Sequence, residues 1–428
     1  MAIDPEMSEG TVNFSRRRSR RLSLLLFAAY ASLVAVFQGV QNILIPTAVQ
    51  RLSPDTKVST LALLTTLSAV TTIIAFLTGG LLSDRTRSRF GRRTPWLVGM
   101  AVAVVVLMLA VGSATSVTAL VILMPILWFA ANFYQTVVTT ILPDRVPVQD
   151  RGFASAAIAL GVPVGIFVGV NVAAAAPTPF TGYVLLTVPI VVFTVALVLL
   201  DREPSSLPMV RSVAGNDAQT TPAGGYLSAF ASRDFTLTFV SRFLLFLSFF
   251  TANGYLFYVL QDYVGLTSLP GQSAAQAIST VLSITTIAWL TVTPLTGLLA
   301  DRVGHTAGVV GWTSIAIGAV LIVPAFTNAW SGMLVLGVGL GLTFGVYFAI
   351  DLKLASLVLP SSETAGRDIG LMGIAGSGPT VMAPALAAAI IEWAGFPALF
   401  IVSAVLAIAG GLAAFPIRVR SPARKARP

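Results

Sequence analysis

The sequence contains no cysteine and a single histidine, His305. Disulfides, thiolate metal sites and iron–sulfur clusters are thereby excluded, and one imidazole is too few for a His-based metal centre. Charge is scarce as well: 10% of the 428 residues are Asp, Glu, Lys or Arg, against 56% hydrophobic residues and a mean hydropathy of +0.87. So little polar side chain cannot coat a water-soluble globule of this size. No nucleophile with a base and an orienting partner occurs at a spacing that enzyme chemistry needs. The chain is therefore expected not to be an enzyme and to require no cofactor and no metal.

What the sequence has in abundance is long apolar runs. Six lie near residues 22–46, 58–82, 95–113, 118–142, 153–175 and 181–200, and six more near 235–260, 274–299, 306–326, 329–358, 368–392 and 396–416. Each is long enough to cross ~30 Å of hydrocarbon as a helix. They are continuous, unlike the alternating segments of about ten residues that build an outer-membrane barrel. An all-α membrane protein of twelve spans is expected, and the runs are called spans 1 to 12 below.

The net charge of +9 does not point to nucleic acid, because the basic residues mark one side of a membrane. Of the 26 Lys and Arg, 23 fall on the side of the N-terminus; Arg51 and Lys57 lie opposite, and Arg242 lies inside span 7. The positive-inside rule then puts both termini in the cytoplasm, and a multi-pass protein of the cytoplasmic (inner) membrane is expected. Clusters such as Arg16 to Arg21, Arg85 to Arg93 and Arg418 to Arg427 would meet anionic membrane lipids.

An internal repeat organises the chain. GLLSDR at Gly80–Arg85 recurs as GLLADR at Gly297–Arg302, and Leu142-Pro143 recurs as Leu359-Pro360, both at an offset of 217 residues. Two matches at one spacing imply a duplicated six-helix unit of the parallel type found in transporters. The expected organisation is a tail at 1–21, a six-helix bundle at 22–200, a linker at 201–233, a second bundle at 234–416 and a tail at 417–428. The linker is polar and rich in Pro, Gly and Ser, which suits a flexible connector.

The loop GLLSDRTRSRFGRRTPWL, Gly80–Leu97, resembles the loop 2–3 signature of the major facilitator superfamily, and GLLADRVG resembles its shorter second copy. Gly91, seven residues after Asp84, lengthens the loop in a way similar to the glycoside-pentoside-hexuronide:cation symporters and the sucrose transporters. The resemblance implies two pseudo-symmetric bundles that alternate access to a central solute cavity. Gly80 would allow close helix approach, and Asp84 puts a negative charge where it can meet the positive end of a helix. By resemblance that helix is span 11, beginning near Arg367 and Asp368. Arg85, Arg92 and Arg93 would anchor the loop, with Asp301 and Arg302 as the second copy. Asp144, Arg145 and Arg151 follow span 4, and Glu363, Gly366, Arg367 and Asp368 follow span 10, so salt links between the halves are expected there.

The resemblance also implies that spans 1, 4, 7 and 10 line the cavity, and polar side chains sit on them at helical spacing. Gln38, Gln41 and Asn42 share a face of span 1, and Asn132 and Gln135 a face of span 4. Tyr255 and Tyr258 in span 7 stand at the repeat positions of Gln38 and Gln41. Amides and phenols donate and accept, which suits a neutral polar solute; their competing role is to join helices. Trp289 in span 8 could stack on a sugar ring. Arg242 and Asp351 lie at similar depth, about 12–14 Å from their helix ends at 1.5 Å per residue, so they are expected to pair, with Lys353 as a rival partner for Asp351. The symporters of the resembled branch carry aspartates in spans 2 and 4 that bind the coupling cation; this sequence has none, which leaves a coupling proton or sodium ion open and makes Asp351 the only acid deep enough to be protonated.

Three functions remain: a carrier of a small neutral polar solute such as a sugar or glycoside; an exporter of amphipathic drugs, metabolites or lipids; and a receptor or scaffold that no longer transports. The expected partners are a small-molecule substrate and membrane lipids, the chain acting as a monomer.

Overall fold

The structure, a computed structural model, describes residues 5–203, 228–300, 306–359 and 365–418. The regular elements among them are all helices. The chain divides into two compact units, Met1–Arg211 and Ser212–Pro428.

In the first unit the apolar runs become span 1 (Arg18–Leu52), span 2 (Lys57–Arg85), span 3 (Thr94–Gly112), span 4 (Val117–Arg145), span 5 (Arg151–Ala175) and span 6 (Pro179–Leu200). Continuous apolar runs form helices in hydrocarbon, because a helix satisfies every backbone group within one segment. Ser116 and Thr178 start spans 4 and 6 by accepting a hydrogen bond from the backbone N–H three residues on.

Packing without water depends on backbones coming close, and span 5 achieves this on span 1 with Gly161, Gly165 and Gly169. A Cβ on Gly169 would stand 2.2 Å from the Ala35 carbonyl oxygen, and one on Gly165 2.6 Å from that of Ala31. Span 2 packs on span 4, and spans 1 and 4 each also touch a neighbour across the bundle, so that 1 meets 6 and 3 meets both 4 and 6.

The second unit holds span 7 (Arg233–Asn253), span 8 (Ala274–Ala300), span 9 (Thr306–Leu321) and span 10 (Trp330–Leu357). The last apolar stretch, Arg367–Ala414, has 48 residues. A straight helix of that length would measure about 72 Å, more than twice the hydrocarbon thickness. It reverses at Gly395, whose φ of +79° suits glycine, giving span 11 up to residue 394 and span 12 from residue 396. Its packing repeats that of the first unit: 7 with 11 and 12, 8 with 10, and 9 with 10 and 12.

Two regions depart from the expected runs. Span 7 does not continue to residue 260: it stops at Asn253 and Gly254, two weak helix formers, resumes as one turn at Leu256–Tyr258 and widens into a π-helical stretch at Val259–Gly265. Span 1 has a π-helical turn at Val40–Leu44, which the 217-residue offset carries onto residues 257–261, within the same distorted part of span 7. The expected linker is also ordered at its start, where Asp201 is 4% exposed.

Candidate functional site

At the arginine-rich end of the first unit, the loop between spans 2 and 3 turns at Gly91, with φ of +90°. Arg93 follows, is 3% exposed, and gathers the surrounding acids. Its Nη2 lies 2.5 Å from Asp84 Oδ1 and its Nε donates to Asp144 Oδ2 at 3.0 Å, while Nη1 donates to Ser83 Oγ. Arg92 pairs with the other Asp144 oxygen at 2.6 Å. Asp84, expected at the start of span 11, is thus engaged within its own loop.

Glu203 completes the turn from the far end of span 6. It accepts the backbone N–H groups of Arg92 (3.1 Å), Arg93 (3.0 Å) and Thr94 (2.9 Å), so its carboxylate caps the positive end of span 3. A Cβ on Gly91 would lie 2.2 Å from the Glu203 side chain, so any larger residue there would displace that carboxylate. Arg145 at the end of span 4 then links Glu203 (3.0 Å) to Asp201 (3.1 Å), and Arg18 reaches Asp201 at 3.2 Å. Four arginines and four acids therefore tie the ends of spans 1, 2, 3, 4 and 6 together with no net charge.

Several expectations change here. Gly80 is not a close-packing position within its unit, since no atom lies within 4 Å of where its Cβ would be; the neighbouring Gly79 is the one that packs, on Thr136. Asp144 and Arg145 make salt links inside the first unit, to Arg92 and Arg93 and to Asp201 and Glu203. Arg151 donates to the Val146 and Pro143 carbonyls and so holds its own turn. Arg85 is exposed. Asp301, Arg302 and Glu363 lie outside the described residues. Arg367 Nη2 pairs with Asp368 at 2.8 Å at the start of span 11. Asp201 and Glu203 were missed because a polar stretch after a span reads as linker; two acids beside an arginine surplus were the signal.

Deeper in the first unit, the amides fall into two groups. Asn42 donates to the Gln38 carbonyl (3.0 Å) and to Gln38 Oε1 (2.8 Å) at the π-helical turn of span 1, with Gln41 exposed beside them. π-Helical turns inside helices recur at functional sites. Gln135 donates to Tyr30 OH at 3.2 Å, which links spans 4 and 1. Asn132 is different: it is buried and donates to Thr72 Oγ1 (3.0 Å) and the Trp128 carbonyl (2.8 Å), so it joins spans 4 and 2.

In the second unit, Arg242 Nη1 lies 3.1 Å from Asp351 Oδ2, bringing together the two charges that share a depth in spans 7 and 10. Tyr347 donates to the other oxygen at 2.9 Å, and Asp351 is 3% exposed. Charges in lipid are stable only when paired in this way. Rings surround the pair: the Arg242 guanidinium sits 5.7 Å from the centre of Phe246, which meets Tyr347 and Phe348 edge-on. Trp289 stacks on Phe348 with centroids 5.2 Å apart. Tyr255 and Tyr258 are buried, and Tyr255 OH donates to the Pro384 carbonyl of span 11 at 3.2 Å.

Twelve apolar crossings in two similarly packed units, with a charged loop between spans 2 and 3, agree with the sequence comparison. The profile of the Major Facilitator Superfamily matches residues 22–307 and 269–428. The chain belongs to this superfamily. It is a multi-pass membrane protein, and superfamily members are transporters that work by alternating access. Solved structures share the fold at low identity. A bacterial homolog of the human lysosomal transporter Spinster, inward-facing and unoccupied, is 14% identical with a TM-score of 0.67, covering 94% of this chain and 97% of its own. A POT family transporter in complex with a thioalcohol-conjugated peptide is 12% identical with a TM-score of 0.67, covering 92% and 95%. No curated protein matches the sequence.

Proposed function

We propose that this superfamily member carries a small neutral polar organic solute, of the sugar or glycoside class, across the cytoplasmic membrane, with both termini in the cytoplasm. The observation that carries this reading is the amide group at the π-helical turn of span 1, Gln38, Gln41 and Asn42, with Gln135 and Tyr30 as its continuation. The exposed Gln41 and the amide atoms not used internally can both donate to and accept from hydroxyls. Trp289 adds an aromatic face of the kind sugars stack on, and the lengthened loop 2–3 agrees with the sugar-carrying branch. In this reading the network around Arg93 gives the first bundle a rigid end, and Asp84 latches it against span 11 in one phase of the cycle.

A second reading, export of amphipathic compounds, is favoured by the rings around Arg242 and Asp351 in the second unit. A thermal-shift screen separates the two, because a ligand that binds the native state stabilises it by mass action. Sugars should raise the unfolding midpoint, and Gln41→Ala should abolish that rise; stabilisation by cationic amphiphiles alone would replace the first reading with the second.

A further inference from the structure

We infer that the adjoining ends of spans 1 and 5, on the arginine-rich side of the first unit, bind the headgroup of a phospholipid that carries both a phosphate and a primary ammonium. A cavity of about 180 Å3 lies there, lined by Ser19, Arg20, Gln149, Asp150 and Phe153. It is smaller than the ~300–1,000 Å3 of pockets that enclose drug-sized ligands. A headgroup is a better match than a transported solute.

Three features distinguish it from ordinary surface. Arg20 and Asp150 share the cavity without forming an ion pair, and neither has an ionic partner among the described residues. The adjacent arginines are engaged, Arg18 on Asp201 and Arg21 on the Leu200 carbonyl, so the unpaired state belongs to Arg20 and not to the whole segment. Ser19 is 5% exposed and its hydroxyl has no hydrogen-bond partner among the described residues, whereas Ser23, one turn on, is satisfied by the Ser19 carbonyl.

The surface leading away from the cavity is apolar. Leu24, one turn after Arg20, is 57% exposed, and Phe153 and Leu160, two turns apart on span 5, are 52% and 53% exposed. A polar cavity at the end of two packed helices, continued by Leu24 on span 1 and by exposed apolar side chains along span 5, has the order of a lipid: head, then acyl chain. Phosphate oxygens can accept from the Arg20 guanidinium, the Ser19 hydroxyl and the Gln149 amide. An ammonium with N–H groups can donate to Asp150. Choline offers no N–H, and a glycerol headgroup would leave Asp150 facing an anion unrelieved, so phosphoethanolamine is the chemistry that satisfies both charges.

The test uses full-length protein in phosphatidylcholine nanodiscs, with bound lipid counted by native mass spectrometry as phosphatidylethanolamine or phosphatidylglycerol is titrated in. Phosphatidylethanolamine should bind about tenfold more tightly than either alternative, equal to one further charge-assisted contact. Arg20→Gln should weaken every phospholipid, while Asp150→Asn should remove the preference for ethanolamine and leave phosphatidylglycerol binding intact. An unchanged unfolding midpoint of both variants in pure phosphatidylcholine establishes that the fold is preserved. Equal binding of all three lipids, or a preference untouched by either substitution, would overturn the inference. Tighter phosphatidylglycerol binding would reveal a simple anion site, and displacement by free phosphoethanolamine at matching concentration would reveal a soluble occupant; either result also overturns it.

Discussion

Among the described residues, the two units hold their charges in different settings. In the first, eight charged side chains lie at the helix ends and hold one another, with Arg93 and Glu203 as the points where loops and spans converge. In the second, Arg367 and Asp368 also pair at a helix end, but Arg242 and Asp351 sit inside the spans among aromatic rings. A network at a helix end can fall back on water when one member is lost. A pair in low dielectric cannot, so the same number of lost contacts should have unequal consequences.

The largest effect is expected from Arg242→Gln, which leaves Asp351 buried without its cation, held only by the Tyr347 hydroxyl; the usual cost is about 3–5 kcal/mol. Thermal unfolding in detergent should fall sharply and transport should be lost, with the exchange of Arg242→Asp and Asp351→Arg recovering part of both. An unaltered midpoint would remove the distinction between the units. Next is Gly91→Ala, which both strains a residue at φ of +90° and pushes Glu203 from the start of span 3. A strained backbone position alone costs about 1–3 kcal/mol, and the loss should appear as faster hydrogen exchange of the first turn of span 3.

A smaller pair of substitutions tests the division among the amides. Asn132→Ala should lower stability by about 0.6 kcal/mol, the average for such helix-joining bonds, and leave KM unchanged; Gln41→Ala should raise KM with the midpoint unmoved. The reverse pattern would exchange their roles. Asp84→Ala should also cost little stability, because its side chain is 56% exposed and its pair with Arg93 is screened. Less than about 1 kcal/mol should be lost. A strong drop in transport from this variant would therefore report the latch and not unfolding.

Much of the fold was legible because the bilayer leaves so few choices. Continuous apolar runs of membrane length become helices, and the 217-residue repeat reappears as the same packing pairs in both units. Residue-level detail was less accessible where local chemistry competes with the hydropathy pattern. Asn253 and Gly254 interrupt span 7 although the surrounding run stays apolar, and the Gly161, Gly165 and Gly169 seam on span 5 is silent in a count of hydrophobic residues. Asp201 and Glu203 look like linker when read in order, because their partners are 56 to 183 residues away in the chain. Depth sufficed to bring Arg242 and Asp351 together, since a charge in lipid has so few alternatives. Asn132 and Gln41 could not be told apart from spacing, as both fall on polar faces and only packing distinguishes a bonded amide from an exposed one.

The absence of cysteine makes the central claim, that the two halves rock as bodies about a solute, open to direct measurement. Spin labels on Ser88→Cys with Ser356→Cys would span the halves at the arginine-rich end, and labels on Ser59→Cys with Ser268→Cys would span them at the other. On adding a solute that raises the unfolding midpoint, pulsed dipolar spectroscopy should show one distance lengthen while the other shortens, with distances inside each half constant. Two distances that stay fixed, or that change in the same sense, would contradict the account.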